Sequence, residues 1–438
     1  MFRKRLQLGL IHAAVAVTLV PINSTLNRIL IEDMAVMATL VVLLFSPPYL
    51  FSFIQVAIGS LSDRYPVRGY RRTPYIIVGL VLCAAGLALA ARVALLIPVD
   101  FWAGIGLSVL TFAAWGMGFN LATVSYFSLA SELSGEGGRS RTTATMFFIM
   151  IVGIIVTAAR LSSYLEVYTP ERLQTAFLTI GALALGLGLV SLIGLERPMR
   201  TIRPPERRIP LRAIIAEVHG SRHVRRFFIY LLFLLAAVLG QDVLLEPYAA
   251  RAFGMPIDQT TRITTIWGTC YLVSLLIAGA LEGRMPRLRL ARLSSWLAVV
   301  AFLLVALSGA AGGQAVFYTG VVLLGLATGP ATVANLALML DMTTPGKVGL
   351  FIGAWGSASA FARLLGYLTT AAARDLARLF PDSALIGYIA GFSLLALFVV
   401  ASLIVLGGVD VGAFKNEDES EPGMRLSVAE RAALAGEL

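Results

Sequence analysis

Gly59-Ser60-Leu61-Ser62-Asp63-Arg64, with Arg71-Arg72 shortly after, separates two long apolar runs. The glycine lets two helices approach closely. Asp63 and the arginines can pair with one another or with a neighbouring helix end. Breaking such pairs would let one part of a helical bundle rock against another, so Gly59, Asp63, Arg64, Arg71 and Arg72 are the candidate gate; a basic loop that only sets topology is the alternative. The pattern returns at Gly279-Ala280-Leu281-Glu282-Gly283-Arg284, where glycine replaces the acid. A second correspondence has a constant offset of 209: Ala122-Thr123-Val124, Leu129 and Glu132 match Ala331-Thr332-Val333, Leu338 and Asp341. Two matched sites predict a duplicated unit, repeated in parallel.

The runs around the motif have membrane length. Hydrophobic residues make up 58% of the 438 and charged residues 14%. So much apolar surface exceeds what one soluble core can bury. Spanning the hydrocarbon takes about 20 mostly apolar residues. Such runs occur at 7–29, 35–60, 74–94, 101–130, 143–164, 175–195, 227–247, 263–281, 293–309, 315–338, 348–371 and 384–406. The expectation is an all-α integral membrane protein with twelve transmembrane helices in two six-helix halves. Continuous apolar character and length favour helices over the alternating strands of an outer-membrane barrel. The first run follows Arg3-Lys4-Arg5 but has no small-residue cleavage site, so it reads as a membrane helix and not a signal.

Charge orients the spans. With both termini in the cytoplasm, the inner segments hold 26 Lys/Arg and the outer connections seven. That bias follows the positive-inside rule and accounts for the net charge of +10 without nucleic acid. The expected location is an inner membrane, cytoplasmic or intracytoplasmic. The expected divisions are a first half at 1–195, a basic proline-bearing linker at 196–226, a second half at 227–406 and a tail at 407–438. Residues 211–226 alternate apolar and basic and suit the anionic membrane surface. Cys83 and Cys270 lie in apolar runs and support neither a disulfide nor a metal site. No phosphate-binding loop and no Ser/His/Asp triad can be assembled, so an enzyme is not expected.

Polar residues within or at the ends of spans are the binding candidates. Asn23, Asn27 and Arg28 end the first span, with Glu32 and Asp33 after them. Gln241, Asp242, Glu246 and Tyr248 end the seventh, its repeat equivalent. On a helix Asp242 and Glu246 share a face and repel. A cation, Arg28 or Arg251, would relieve that; so would solvation at the headgroup level. Arg363 lies deep in the eleventh run with no acid in its own span, which requires a cross-helix partner or an acidic ligand group. Asn120, Thr123, Thr328, Thr332 and Asn335 are polar but uncharged, which suits a bulky apolar cargo or none.

Thr25-Leu26-Asn27-Arg28, Arg71-Arg72-Thr73-Pro74-Tyr75-Ile76, Gln241-Asp242-Val243-Leu244-Leu245-Glu246-Pro247-Tyr248 with Phe253-Gly254-Met255, and Gly353-Ala354-Trp355-Gly356 resemble the PucC family. The Gly59/Asp63/Arg64 loop resembles that of the major facilitator superfamily, to which PucC proteins belong. The resemblance extends from about residue 6 to residue 406. It implies a major-facilitator fold and a role in light-harvesting antenna assembly, either delivering (bacterio)chlorophyll or chaperoning antenna polypeptides. Those polypeptides and pigment-synthesis enzymes are the implied partners, beside the lipid bilayer. Arg363 departs from the family pattern, where a small or polar residue is expected. With pigment as cargo, His12, the one histidine inside a span, becomes a candidate ligand for chlorophyll magnesium; a packed or interfacial histidine is the alternative. A secondary transporter of a small amphipathic solute is the competing function.

Overall fold

The computed structural model describes residues 2–55, 58, 62, 65–134, 139–198, 222–280, 284–341, 348–377, 379 and 384–409. Gly59, Asp63 and Arg64 lie outside this set, as do most of the 196–226 linker and of the 407–438 tail. The described chain is helical almost throughout. Its isolated bridge, Val67 with Tyr70, closes a two-residue turn in which Arg68 and Gly69 both have positive φ.

The helices run in chain order as follows: α1 (Phe2–Ala16), α2 (Ala38–Phe45), α3 (Pro47–Leu50), α4 (Thr73–Leu96), α5 (Phe101–Ser134), α6 (Arg139–Tyr164), α7 (Pro170–Leu192), α8 (Arg222–Gly240), α9 (Leu245–Phe253), α10 (Ile257–Ala280), α11 (Arg287–Leu307), α12 (Gly313–Asp341), α13 (Val348–Ala377) and α14 (Ala384–Leu406). Helix α1 continues through π-helical turns at Pro21–Leu26 and Ile29–Asp33. Ten helical stretches among the described residues are long and apolar enough to cross a membrane. The expected run 348–371 lies on α13. The expected run 35–60 is broken. Pro47 and Pro48 cannot donate to the carbonyls four residues back, so α2 stops at Phe45 and a short α3 and a 3-10 turn follow.

Two groups of helices form the bundle. In the first, α4 packs on α5 and α7, and α1 on α6 and α7; in the second, α11 and α10 pack on α12, and α8 on α13 and α14. Glycine sets the closest approaches. A Cβ on Gly79 would meet backbone of Gly118 and Ala122 at 2.7 and 2.6 Å, and one on Gly366 would meet the Ala236 carbonyl oxygen at 2.0 Å. Small residues of this kind replace the hydrophobic drive that lipid removes.

The groups meet through α10 against α6 and α13 against α2. Helices α5 and α12, which carry the segments matched at the offset of 209, do not pack extensively on one another. We call the end of the bundle that holds residues 2–7 and 406–409 the near end, and the opposite end the far end. At the near end Arg5 donates to Thr142, Gln7 to the Ile193 carbonyl, and Arg226 to the Gly408 carbonyl. Each of these bonds stays within one group.

Candidate functional site

A break in the seventh span builds the site. The helix does not carry Asp242 and Glu246 on one continuous face, as the spacing predicts. A 3-10 turn occupies Gln241–Val243, and α-helix resumes at Leu245. Pro247 is the cause: it has no N–H to offer the Val243 carbonyl, four residues back. The freed carbonyl accepts from Asn27 Nδ2 at 2.8 Å, across the boundary between groups. The two acids then find separate partners.

Glu246 is 3% exposed. Its Oε1 accepts from Ser24 of the first group and from Thr264 on α10 (2.8 Å); its Oε2 is buried with no partner. Thr25 and Thr261 hydroxyls meet at 3.0 Å beside it. Headgroup-level solvation therefore does not describe this acid. Gln241 Oε1 and Arg28 Nε are also buried and unpartnered.

Asp242 pairs with Arg363, the cross-helix partner that Arg363 requires, at 3.1 Å. Tyr367 Oη accepts from Arg363 (3.0 Å) and donates to Asp242 (3.2 Å). Tyr49 of α3 lies under the guanidinium, 4.8 Å from ring centre to Cζ. The close passage of Gly366 against Ala236 and Gly240 brings α13 near enough to α8 for this pairing. Asn23, Asn27, Val42, Phe45, Asp242, Val243 and Tyr367 line a cavity of about 10 Å³, room for one water molecule.

The far end is fastened between groups. Arg28, expected to serve the seventh span, pairs with Asp33 and donates to the Met255 carbonyl (3.3 Å). Arg251 is exposed and does not supply the cation. Ser162 donates to the Asp258 carbonyl at 2.8 Å. Arg374 reaches Glu32 at 3.0 Å and the Ile31 carbonyl at 3.1 Å, and Tyr388 also donates to Glu32. Asp375, beside Arg374, accepts from the backbone N–H groups of Ala38 (2.9 Å) and Thr39 (2.7 Å). It thus caps α2 from the other group.

Every cross-group hydrogen bond or ion pair between described residues lies in the far half of the bundle. The described part of the candidate gate works within the first group. Arg72 pairs with Glu132 at 2.8 Å, and the Glu196 carboxylate accepts from the backbone of Arg71, Arg72 and Thr73, capping α4. Among the described residues, the polar fastening between the two groups is therefore confined to the far half.

Other candidates serve the scaffold. Tyr248, expected at a binding surface, is fully buried, and its hydroxyl accepts from the Gly309 N–H at 2.8 Å. Asn120 donates to the Pro48 and Gly116 carbonyls and accepts from Gln55. His12 is buried among Tyr126, Phe127 and Phe147, with ring centres 5.1–5.4 Å away, and its Nδ1 has no partner. Sequence reasoning missed Tyr49, Tyr367, Arg374, Asp375 and Tyr388 as site residues. Only the break had a readable signal, in Pro247.

The pattern of a family described as PUCC protein matches residues 25–414. The bacteriochlorophyll synthase 44.5 kDa chain of Rhodobacter capsulatus is 30% identical over 416 residues, covering 92% of this chain and 94% of that one. Protein PucC of Cereibacter sphaeroides is 26% identical over 428 residues, covering 92% and 91%. Among solved structures, nucleoside transporter NupG superposes with a TM-score of 0.69 at 12% identity over 93% of this chain and 98% of that one. A bacterial homologue of the lysosomal transporter Spinster, inward-facing and occupied, gives 0.65 at 13% over 95% and 96%. The fold is that of the major facilitator transporters.

Proposed function

The chain belongs to the PucC family, and on that premise we propose that it assists assembly of photosynthetic light-harvesting complexes by binding and delivering (bacterio)chlorophyll or holding antenna polypeptides. The role is non-enzymatic, and pigment-synthesis enzymes and antenna polypeptides are its partners. The observation that carries this reading is the family match over residues 25–414. The polar groups of the spans bear on it. Asn120, Thr328 and Thr332 are bonded to protein backbone and Asn335 accepts from Tyr230, whereas Thr123 Oγ1 is buried with no hydrogen-bond partner among the described residues. What remains suits a large, mostly apolar cargo. His12 Nδ1 is the candidate magnesium ligand; Tyr126, Phe127 and Phe147 cover it, so it would reach a pigment only once these rings move aside. Both termini lie in the cytoplasm of an inner or intracytoplasmic membrane, the side where pigment and polypeptides are made.

The test is removal of the protein from a phototrophic host and complementation with wild type. Antenna absorption per reaction centre should fall and recover. Unchanged antenna levels would refute the assembly role, and pigment spectra of the purified protein would separate delivery from polypeptide holding.

A second reading, a secondary transporter of a small amphipathic solute, is favoured by the Asp242–Arg363 pair within the membrane and the half-satisfied Glu246. Solute flux in proteoliposomes with no bound pigment would select it.

A further inference from the structure

Arg363 has more donors than the protein uses. A guanidinium holds five N–H groups in one plane. Its Nη1 serves Asp242 Oδ2 and Tyr367 Oη. Nη2 and Nε have no partner among the described residues, yet they are not sealed off: the side chain keeps 23% of its surface and that of Asp242 keeps 32%. Arg363 stands midway along α13, with Tyr49 of the first group against one face and Asp242 of the second beside it. The unused edge therefore lies at the boundary between the groups, flanked by a residue of each.

Charge decides what that edge can hold. Arg363 and Asp242 sum to zero. A carboxylate or phosphate would leave a net negative charge in a low-dielectric site, and a neutral acceptor adds none. The surround favours a flat ligand. Tyr49 and Tyr367 stand edge to face with ring centres 5.9 Å apart, and the guanidinium lies over both rings.

We infer that the free edge of Arg363, set beside Tyr49 and Tyr367 at the boundary between the groups, donates a hydrogen bond to a ring carbonyl of a neutral, planar, conjugated cargo. This rests on the pigment reading above and adds the atoms that hold the cargo and its charge state. Arg363 is then a binding residue and Asp242 its positioning partner. Asp242 fixes Nη1, which aims Nη2 and Nε away from α8.

The probe is bacteriochlorophyll a, an uncharged ester with acetyl and keto carbonyls on the ring, added to the full-length protein in nanodiscs. Resonance Raman spectroscopy reads the carbonyl stretches. With wild type, one stretch should shift to lower frequency relative to pigment in empty nanodiscs. Arg363→Lys keeps a cation for Asp242 but lacks the second edge. It should lose the shift and bind about ten-fold more weakly, the worth of one charged hydrogen bond. If that variant does not fold, Asp242→Asn with Arg363→Gln keeps the site neutral and should give the same loss. Pigment bound with identical carbonyl stretches in wild type and variant would overturn the inference and leave pigment binding standing. Tighter binding of the free-acid pigment through Arg363 would also overturn it. No pigment bound by wild type would sink the pigment reading and the inference together.

Discussion

Glu32→Gln should loosen the far end. The Arg374 side chain is 7% exposed and that of Glu32 10%, so the pair is effectively buried. Removing one partner of a buried ion pair costs about 3–5 kcal/mol, because the other charge stays unpaired in a poor solvent. Here Arg374 keeps the Ile31 carbonyl and Asp375, and the amide oxygen of the introduced glutamine can still accept from Tyr388, so the lower bound applies. At about 1.4 kcal/mol per factor of ten, a cost of about 3 kcal/mol weakens far-end closure roughly 100-fold. Arg374→Gln should do at least as much, since it also unseats Asp375. The double variant should cost less than the sum by about 1–3 kcal/mol. A cysteine at Val36, 9% exposed beside the clasp, would report opening through its labelling rate with an impermeant maleimide, with Cys83 and Cys270 replaced. Thermal midpoints in detergent would give the cycle in parallel. Additive single effects, or a Val36 labelling rate unchanged by Glu32→Gln, would refute the assignment of this cluster as a cross-group clasp.

Asn27→Ala should destabilise the protein by about 1–3 kcal/mol by leaving the Val243 carbonyl buried and unpaired; Pro247→Ala restores an N–H for it and should rescue most of the loss in thermal melts. Gly366→Ala should abolish folded protein on size-exclusion chromatography, because its Cβ would sit 2.0 Å from a carbonyl oxygen, whereas Gly356→Ala, with open space around it, should behave as wild type. Asp242→Asn and Arg363→Gln should be strongly non-additive in a thermal cycle, while Asp242→Asn and Arg28→Gln, which share no bond, should add within about 0.5 kcal/mol.

The bundle was legible because membrane spans announce themselves by length and apolarity alone. The same property hides how they face. A helix that meets lipid on one side and protein on the other is apolar on both, so periodicity carries little sign of which side packs inward. Arg363 could be read as needing an acid because an unpaired cation at that depth is costly; nothing in one sequence says that the acid is Asp242, on another helix. The Arg374–Glu32 contact joins residues 342 positions apart and was invisible for the same reason. The straight-helix reading of Asp242 and Glu246 failed at Pro247, where a rule about a missing N–H outweighed the four-residue spacing. Gly240 and Gly366 mark a helix crossing only once both partners are known.

The cap that Asp375 places on α2 ties secondary structure to conformation. The amides of Ala38 and Thr39 are the first-turn donors of one group, yet their acceptor belongs to the other. If the groups were to part at the far end, those two N–H groups would lose their carboxylate together and would have to turn to water or let the turn unwind. Opening would therefore be a small, local melting event as well as a rigid rotation. Hydrogen exchange at these two backbone positions should act as a gauge of the state of the whole transporter-like body, reading closure without any label, ligand or mutation.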